Sequence, residues 1–201
     1  VVETLSRLAA RYAPDDALLV DAGCGEGFYA KALAAQFRRV VAFDLARDAV
    51  YLAASGPKDE RARRVAFLVA DLTRIPVQDG AASALLDVFT PARYAEFARV
   101  LKPGGVLIKA LPGPGYLREI RALAGQRDYR NDDVLRRLDE TGGERFLPLA
   151  RETLHYSFPL SEPLRADAVR MTPLTHAHAA NPDALTEITI EMEIAVLGKR
   201  G

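Results

Sequence analysis

The sequence predicts an α/β fold with a doubly wound, mostly parallel sheet and antiparallel strands at its C-terminal end. Short apolar segments typical of buried strands alternate with segments of helical periodicity. This alternation indicates a parallel sheet with helices on both faces. In addition, apolar residues occupy every second position from Ile188 to Val196. That spacing is typical of a strand with one buried face, as antiparallel strands often have.

The first two thirds of the chain supply the alternating elements. Apolar residues at helical spacing, among them Leu5 and Leu8, predict an amphipathic helix within residues 1–13. The segment Lys102-Pro103-Gly104-Gly105 predicts a turn that ends a helix, because proline and glycine suit a helix stop. Strands are expected at residues 17–20, 40–43, 65–69, 83–88 and 106–111, and helices at 28–37, 46–54, 92–101 and 116–124.

The last third of the chain departs from this pattern. Residues 126–145 are charged and predict a lid or a loosely ordered helix. Residues 151–158 and 186–197 predict two antiparallel strands that extend the sheet. We therefore interpret residues 1–201 as one domain in which residues 126–197 form additions on the substrate side.

Composition and charge narrow the class of protein. The chain has 201 residues, 49% of them hydrophobic and 27% charged, as in ordinary soluble globular proteins. No run approaches the roughly 18 apolar residues of a membrane helix, so no membrane partner is expected. The formal net charge is zero, whereas a protein that binds nucleic-acid phosphates by itself usually has an excess of basic residues. This balance argues against a free-standing RNA binder and is compatible with one assisted by another domain.

Cysteine and histidine are too scarce to predict a metal site. Cys24 is the only cysteine, and the closest pair of histidines is His176 and His178. One thiol and a single His-x-His segment cannot build a closed tetrahedral zinc site, so no bound metal is expected. The absence of any possible disulfide makes a reducing cytoplasm the default location. The sequence leaves the oligomeric state open.

A glycine loop follows the first predicted strand, in the segment Asp21-Ala22-Gly23-Cys24-Gly25-Glu26-Gly27. Dinucleotide sites use the spacing G-x-G-x-x-G and rest a pyrophosphate on the helix N-terminus. This loop instead has the spacing G-x-G-x-G and carries Asp21 and Glu26, whose carboxylates would repel a pyrophosphate. They suit a ligand with a cationic amino group and no phosphate. The pattern therefore favours S-adenosylmethionine over NAD.

Two further acids follow the next two predicted strands. Asp44 can accept hydrogen bonds from both ribose hydroxyls, as an acid does at this place in dinucleotide sites, and Asp71 can accept one from the adenine amino group. Each acid alone is equally well explained as a loop or cap residue, but three at successive strand ends indicate a nucleoside site. Cys24 is interpreted as a small buried loop residue and not as a nucleophile. The predicted cofactor-binding residues are Asp21, Gly23, Cys24, Gly25, Asp44, Leu45, Asp71 and Leu72.

These motifs resemble those of class I methyltransferases. The resemblance rests on the segment 20–27, on Asp71-Leu72 before Ile75-Pro76, and on Arg99-Val100-Leu101-Lys102-Pro103-Gly104-Gly105. It implies the Rossmann-like fold of that class and S-adenosyl-L-methionine as the cofactor. These motifs recur over many substrates, so they do not indicate the acceptor.

Less common segments resemble the bacterial large-subunit ribosomal RNA guanine-N1 methyltransferases. They are Gly25-Glu26-Gly27-Phe28-Tyr29, Phe89-Thr90-Pro91, the run from Leu111 to Glu119, and Met171-Thr172-Pro173. The resemblance implies methylation at N1 of a guanine, with ribosomal RNA as the partner. The substrate-binding residues that we assign to the acceptor pocket on this basis are Thr90, Pro91, Pro112, Gly113, Met171, Thr172 and Pro173.

The sequence departs from that family in two places. The family carries an N-terminal zinc-binding module that helps to hold RNA, and nothing in residues 1–201 can form it, so a Cys-x-x-Cys pair is expected upstream of Val1. The family also has a Trp-containing segment after Met-Thr-Pro, where this chain has Leu174-Thr175-His176. Both departures concern RNA recognition and leave the cofactor motifs intact.

Two other functions remain open. One is a small-molecule methyltransferase on the same scaffold, since a fold does not fix a function. The other is a non-catalytic S-adenosylmethionine-binding protein. No catalytic residue is assigned from the sequence. Asp87, at the end of the fourth strand, is a candidate to accept the guanine proton, but it could equally cap the following helix.

Overall fold

The computed structural model describes residues 1–13, 17–56, 59–60, 62–125, 143–172 and 181–201. The strands are β1 (Leu18–Ala22), β2 (Arg39–Asp44), β3 (Val65–Val69), β4 (Ala82–Val88), β5 (Leu101–Pro112), β6 (Phe146–Pro159) and β7 (Glu187–Lys199). The described α-helices are α1 (Val2–Tyr12), α2 (Phe28–Leu33), α3 (Arg47–Ala54), α4 (Tyr94–Val100), α5 (Arg118–Leu123) and α6 (Glu162–Met171). Single 3₁₀ turns lie at Ala34–Gln36, Ala62–Arg64 and Pro182–Ala184.

The described chain divides into two compact units. The first contains residues 1–110, 143–151 and 194–201, and the second contains residues 111–125, 152–172 and 181–193. Three strands, β5, β6 and β7, run through both units.

The first unit is built on a seven-stranded sheet with the order β3-β2-β1-β4-β5-β7-β6. The pairs β1/β2, β1/β4, β2/β3 and β4/β5 are parallel. The strand order reverses between β1 and β4, and ligands bind outside the carboxyl ends of the strands at such a switch point. The predicted doubly wound, mostly parallel sheet with antiparallel C-terminal strands is therefore confirmed.

The last strands follow the predicted antiparallel arrangement. In the first unit, Lys199 at the end of β7 donates from Nζ to the carbonyl of Leu101 at the start of β5, at 2.6 Å. In the second unit, Gly113 just after β5 donates to the carbonyl of Glu191, near the start of β7, at 2.8 Å. Opposite ends of the two strands meet, so they run in opposite directions.

Each unit has its own hydrophobic core. In the first unit, β4 is buried along almost its whole length and packs with α4 and the ends of β6 and β7. The amphipathic helix α1 buries Leu5, Leu8 and Ala9, as its spacing predicts. The core of the second unit is smaller and contains Ile120, Leu160, Leu185 and Ile188.

The arginine of the Arg-Val-Leu-Lys-Pro-Gly-Gly segment holds the connection between β3 and β4. Arg99 donates from Nη2 to the Ile75 carbonyl and from Nη1 to the Val77 carbonyl, both at 2.9 Å. It also forms ion pairs with Asp79 at 2.6 Å and with Glu96 at 2.8 Å. One rigid guanidinium thus satisfies carbonyls in a connection that contains no helix.

Three elements differ most clearly from the sequence prediction. Residues 102–105 lie inside β5, where they form a bulge: Ala82 pairs with Leu101 while Ala84 pairs with Val106. The helix expected at 116–124 begins only at Arg118, because Leu117 adopts a left-handed conformation with φ 52°. Helix α6 was not predicted, since it buries none of its residues and therefore shows no apolar stripe.

Among the described residues, no helix is both long enough and apolar enough to cross a membrane.

Candidate cofactor site and substrate loops

The glycine loop wraps over the end of β2 in the first unit. The N–H groups of Gly23 and Cys24 both donate to the carbonyl of Phe43 at 2.9 Å. Gly23, Gly25 and Gly27 have φ values of 76°, 52° and 74°, a left-handed conformation that glycine adopts without steric cost. The predicted glycine spacing is therefore required by the backbone path of this loop.

Asp44 connects this loop to the start of α3. Its Oδ2 accepts a hydrogen bond from Gly25 N and its Oδ1 accepts one from Ala46 N, each at 2.8 Å. Each carboxylate oxygen has a second lone pair, so both can still accept a ribose hydroxyl. The two backbone bonds fix the carboxylate in place before any ligand arrives.

Asp21 is buried beneath the loop with one oxygen unsatisfied. It is 2% exposed, and its Oδ2 has no hydrogen-bond partner among the described residues. Burial raises the pKa of Asp21 to about 7, a backbone hydrogen bond from Ala30 opposes the rise, and the nearby charges of Asp87 and Asp44 add to it. A cationic amino group would give this carboxylate a partner and stabilise its charged form.

A small cleft lies beside Asp44. Its volume is about 140 Å³, below the roughly 300 Å³ of sites that enclose a whole drug-sized ligand, so it suits one part of a nucleoside. The cleft is lined by Gly23, Phe43, Asp44, Leu45, Ala70, Asp71, Leu72 and Thr90. Five of the eight predicted cofactor residues therefore share one cleft.

Asp71 is exposed and held in a tight turn. Its Oδ1 accepts a hydrogen bond from Thr73 N at 2.7 Å. Hydrogen bonds from the backbone and side chain of Thr73 lower the pKa of Asp71. The carboxylate is thus charged near neutral pH and ready to accept a hydrogen bond.

Cys24 has the environment of a structural residue. Burial, with the charges of Asp21 and Asp44, raises the pKa of its thiol to about 12. A nucleophilic cysteine needs the thiolate form at working pH. This pKa supports the interpretation of Cys24 as a loop residue.

A buried ion pair fixes the turn after β4. Lys109 Nζ lies 2.8 Å from Asp87 Oδ2 and donates to the Thr90 carbonyl at 2.9 Å. Asp87 Oδ1 accepts from Thr90 N at 3.2 Å. Burial raises the pKa of Asp87, and the Lys109 ammonium opposes that rise. Both oxygens of Asp87 are engaged and the side chain is fully buried, so its role is to position the turn.

That turn is strained and lies against the glycine loop. Phe89 has φ 60°, uncommon for a residue other than glycine. A Cβ added to Gly23 would lie 2.7 Å from Thr90 Cγ2, closer than any real contact. Thr90, predicted for the substrate, therefore packs directly on a residue predicted for the cofactor, while Pro91 is exposed beside it.

The second unit holds the other predicted substrate residues. The backbone of Gly113, after Pro112 at the end of β5, pairs with β7. A Cβ on Gly113 would lie 2.7 Å from Glu191 Cγ, and one on Gly115 would lie 3.3 Å from Glu191 Cδ. The Glu191 side chain therefore occupies the space beside both glycines.

Glu191 is paired with a histidine. His155 Nδ1 lies 2.9 Å from Glu191 Oε2, and the Glu191 side chain is 20% exposed. The sequence analysis missed both residues. Glu191 occupies a polar position in the alternation of β7, a signal that identifies a strand face and not a site.

Met171 is the last residue of α6 in the second unit, and Thr172 follows it. Met171 is 82% exposed, while Thr172 is only 8% exposed. Pro173, His176 and His178 lie outside the described residues. Within the described part of the chain, no group of three potential ligands could hold a metal ion.

Comparison with known proteins finds a family match for the segment that contains these acids. Residues 19–105 match the family described as a methyltransferase domain. This segment runs from β1 into β5 and contains the glycine loop, Asp44 and Asp71.

Two relatives match most of the chain. One is the Bacillus subtilis protein YxjB, provisionally named a 23S rRNA (guanine-N(1)-)-methyltransferase, which is 30% identical over 89% of the chain. The other is the 23S rRNA (guanine(748)-N(1))-methyltransferase of Streptomyces fradiae, 30% identical over 94% of the chain. The chain spans 65% of the length of each. A malonyl-[acyl-carrier protein] O-methyltransferase of Serratia marcescens is 32% identical over 51% of the chain and 41% of its own length.

Solved structures share the fold. A provisionally assigned methyltransferase from Bacillus halodurans has a TM-score of 0.64 at 18% identity and covers 100% of this chain and 99% of its own. A geranyl diphosphate methyltransferase in complex with S-adenosylmethionine has a TM-score of 0.59 at 18% identity, covering 100% of this chain and 84% of its own.

The sheet order, the acid-bearing glycine loop and the family match together define the class. Residues 19–105 match a methyltransferase domain, and the chain resembles the class I S-adenosylmethionine-dependent methyltransferases. Its cofactor is S-adenosyl-L-methionine, and the unsatisfied oxygen of Asp21 fits the amino group of that molecule. Within the class, the chain resembles the 23S rRNA guanine-N1 methyltransferases.

Proposed function

We propose that the protein transfers a methyl group from S-adenosylmethionine to N1 of a guanine in large-subunit ribosomal RNA. The observation that carries the proposal is the similarity along most of the chain to two proteins named for this reaction. The described site agrees with the donor, because Asp21 and Asp44 suit a cationic nucleoside ligand.

The reaction mainly requires alignment. When bound, the cofactor supplies an activated sulfonium methyl group. The protein would have to hold N1 of the guanine in line with that methyl group and its sulfur. Holding reactants in line lowers the barrier by roughly 7–11 kcal/mol at best. The rigid glycine loop and the Thr90 turn would supply this alignment.

The N1 proton of guanine must leave during the transfer. We propose Glu191 as the group that accepts it, because its carboxylate lies beside Gly113 and Gly115 in the loop assigned to the acceptor. His155 at 2.9 Å would hold the carboxylate in one orientation. A general base must lie within hydrogen-bonding distance of the proton it removes. Asp87 is less suitable, since both of its oxygens are already engaged.

The assignment of Thr90, Pro91, Pro112, Gly113, Met171, Thr172 and Pro173 to the acceptor remains a prediction. A guanine within folded RNA would have to leave its stack to expose its Watson–Crick edge.

Reverse transcription tests the proposal. N1 methylation blocks base pairing, so 23S rRNA treated with the whole protein and S-adenosylmethionine should stop the polymerase at one discrete guanine. The stop should weaken in Thr172→Ala and, by about 10²-fold or more in rate, in Glu191→Gln. Glu187→Gln, an exposed glutamate on the same strand, is the control and should methylate normally. An absence of any stop on ribosomal RNA would contradict the proposal.

A small-molecule acceptor is the alternative. The formal net charge of zero and the half-chain similarity to an acyl-carrier-protein methyltransferase favour it. Label from methyl-tritiated donor should then enter a metabolite or carrier fraction of a cell extract and not ribosomal RNA.

A further inference from the structure

A basic groove lies at the amino-terminal ends of the strands, at the sheet edge opposite the cofactor loop. Its volume is about 560 Å³. Among the described residues that line it there is no aspartate or glutamate. Its basic residues are Arg38, Arg39, Arg63, Arg64 and Lys102.

Among the described residues, no helix covers this part of the sheet, which leaves the groove open. Leu18 pairs with Arg39, and Val41 pairs with Ala66, so these residues share one face of β1, β2 and β3. The connection from β3 to β4, residues 70–81, forms no helix, whereas crossovers in parallel sheets usually contain one. The floor is thus apolar and the rim is cationic.

The rim is suited to phosphate groups. Arg64 donates from Nη1 to the carbonyls of Phe37 and Ala35, at 3.4 and 3.5 Å. A guanidinium has five N–H donors, so this anchoring leaves others for a ligand. Arg39 and Arg63 are exposed. The lining therefore combines one anchored guanidinium with exposed ones, over a surface on which sugars or bases can pack.

We propose that this basic groove binds the phosphodiester backbone of the RNA substrate, away from the nucleotide that is methylated. The proposal rests on the proposed function, which supplies RNA as the polyanion. Strand β2 has six residues and spans roughly 17–20 Å at about 3.3 Å per residue. A folded RNA with one guanine at the carboxyl end of the sheet carries phosphates over that distance. The groove has a local basic excess, which reconciles RNA binding with a net charge of zero.

Salt-dependent RNA binding tests the groove. The double variant Arg39→Gln/Arg63→Gln removes two exposed charges and keeps the anchored Arg64. Binding of a 23S rRNA transcript to the whole protein would be measured by filter retention at several KCl concentrations. Each lost phosphate contact should reduce the slope of log K against log salt by about 1, so the slope should fall by about 2. Arg7→Gln/Arg11→Gln on α1 removes the same charge elsewhere and should leave the slope unchanged.

The outcomes separate this inference from the proposed function. The inference that the groove binds RNA would be overturned if the groove variant kept the wild-type slope, or if the slope fell equally in the α1 control. If the slope drops as expected in the groove variant but the wild type methylates no ribosomal RNA, the inference that the groove binds RNA is retained. The proposed function is then contradicted. Calorimetric titration with S-adenosylhomocysteine should give the same affinity in both double variants, which shows that the fold is intact.

Discussion

Asp21 links the electrostatics of the folded protein to its ligand. The fold buries its carboxyl group and leaves Oδ2 without a partner among the described residues. Burial holds the pKa of Asp21 at about 7, so a large fraction of the ligand-free protein carries a proton there at neutral pH. A cationic amino group at Oδ2 would lower this pKa, and binding would then release a proton.

The raised pKa makes stability depend on pH with a definite sign. A carboxyl group whose pKa is higher in the folded state stabilises the protein below its unfolded pKa, near 4, and loses that contribution as the pH rises to about 7. The wild type should therefore lose up to roughly 4 kcal/mol relative to Asp21→Asn between pH 4 and 7, at about 1.4 kcal/mol per pKa unit. Urea denaturation at several pH values measures this difference. Parallel stability curves for the two proteins would contradict it.

The Lys109–Asp87 pair should be costly to break from one side. Lys109→Met leaves the Asp87 carboxylate buried without its cation, which typically costs about 3–5 kcal/mol. The double variant Asp87→Val/Lys109→Met removes the stranded charge and should recover much of that loss. Urea denaturation of the two variants provides the comparison. If the free energy of unfolding of Lys109→Met lies within about 1 kcal/mol of the wild-type value, the pair does not stabilise the turn.

Residue types at strand ends could be predicted from sequence, but their partners could not. The positions of Asp21, Asp44 and Asp71 follow from the glycine loop and the strand spacing. Lys109 stands inside an apolar run, and only the pairing of Asp87 with Lys109 in the β4/β5 register brings them together. Such long-range contacts leave no local pattern in the sequence.

The glycine loop is the element on which the cofactor site depends most directly. Gly23→Ala forces a side chain into the space of the Thr90 side chain at a φ of 76°. Gly80→Ala is a matched control, since Gly80 has φ 63° and nothing within 4 Å of an added Cβ. Both variants should lose roughly 1–2 kcal/mol from left-handed strain, but only Gly23→Ala should also lose at least about tenfold in donor affinity. If calorimetry gives Gly23→Ala and Gly80→Ala the same affinity for the donor, Gly23 does not belong to the cofactor site.

Elements with a strong local signal were predicted best. Strand β3 was placed at residues 65–69, where the structure has it. The Lys-Pro-Gly-Gly segment suggested a turn because its residue types favour one. In the structure it forms a bulge within β5, and the parallel pairing with β4 continues on both sides of it. Helix α6 has no buried face, so periodicity could not find it.

At the scale of the whole molecule, the strand order explains why the motifs converge. The reversal between β1 and β4 brings the glycine loop, Asp44 and the Thr90 turn to the same edge of the sheet in the first unit. Many functions can share one fold, so this arrangement of strands does not identify the acceptor. The choice of ribosomal RNA therefore rests on the relatives and remains a proposal.

The most direct test of the cofactor site is calorimetric titration of S-adenosylhomocysteine into the wild type and Asp44→Asn. The asparagine keeps one acceptor for the loop but loses the charge and one acceptor for the ribose. Hydrogen bonds to charged groups contribute about 1.5–3 kcal/mol, so affinity should fall roughly ten- to hundredfold. Asp48→Asn, exposed in the first turn of α3, should bind as the wild type does. Equal affinity in Asp44→Asn, or tighter binding of NAD by the wild type, would contradict the assignment of this site.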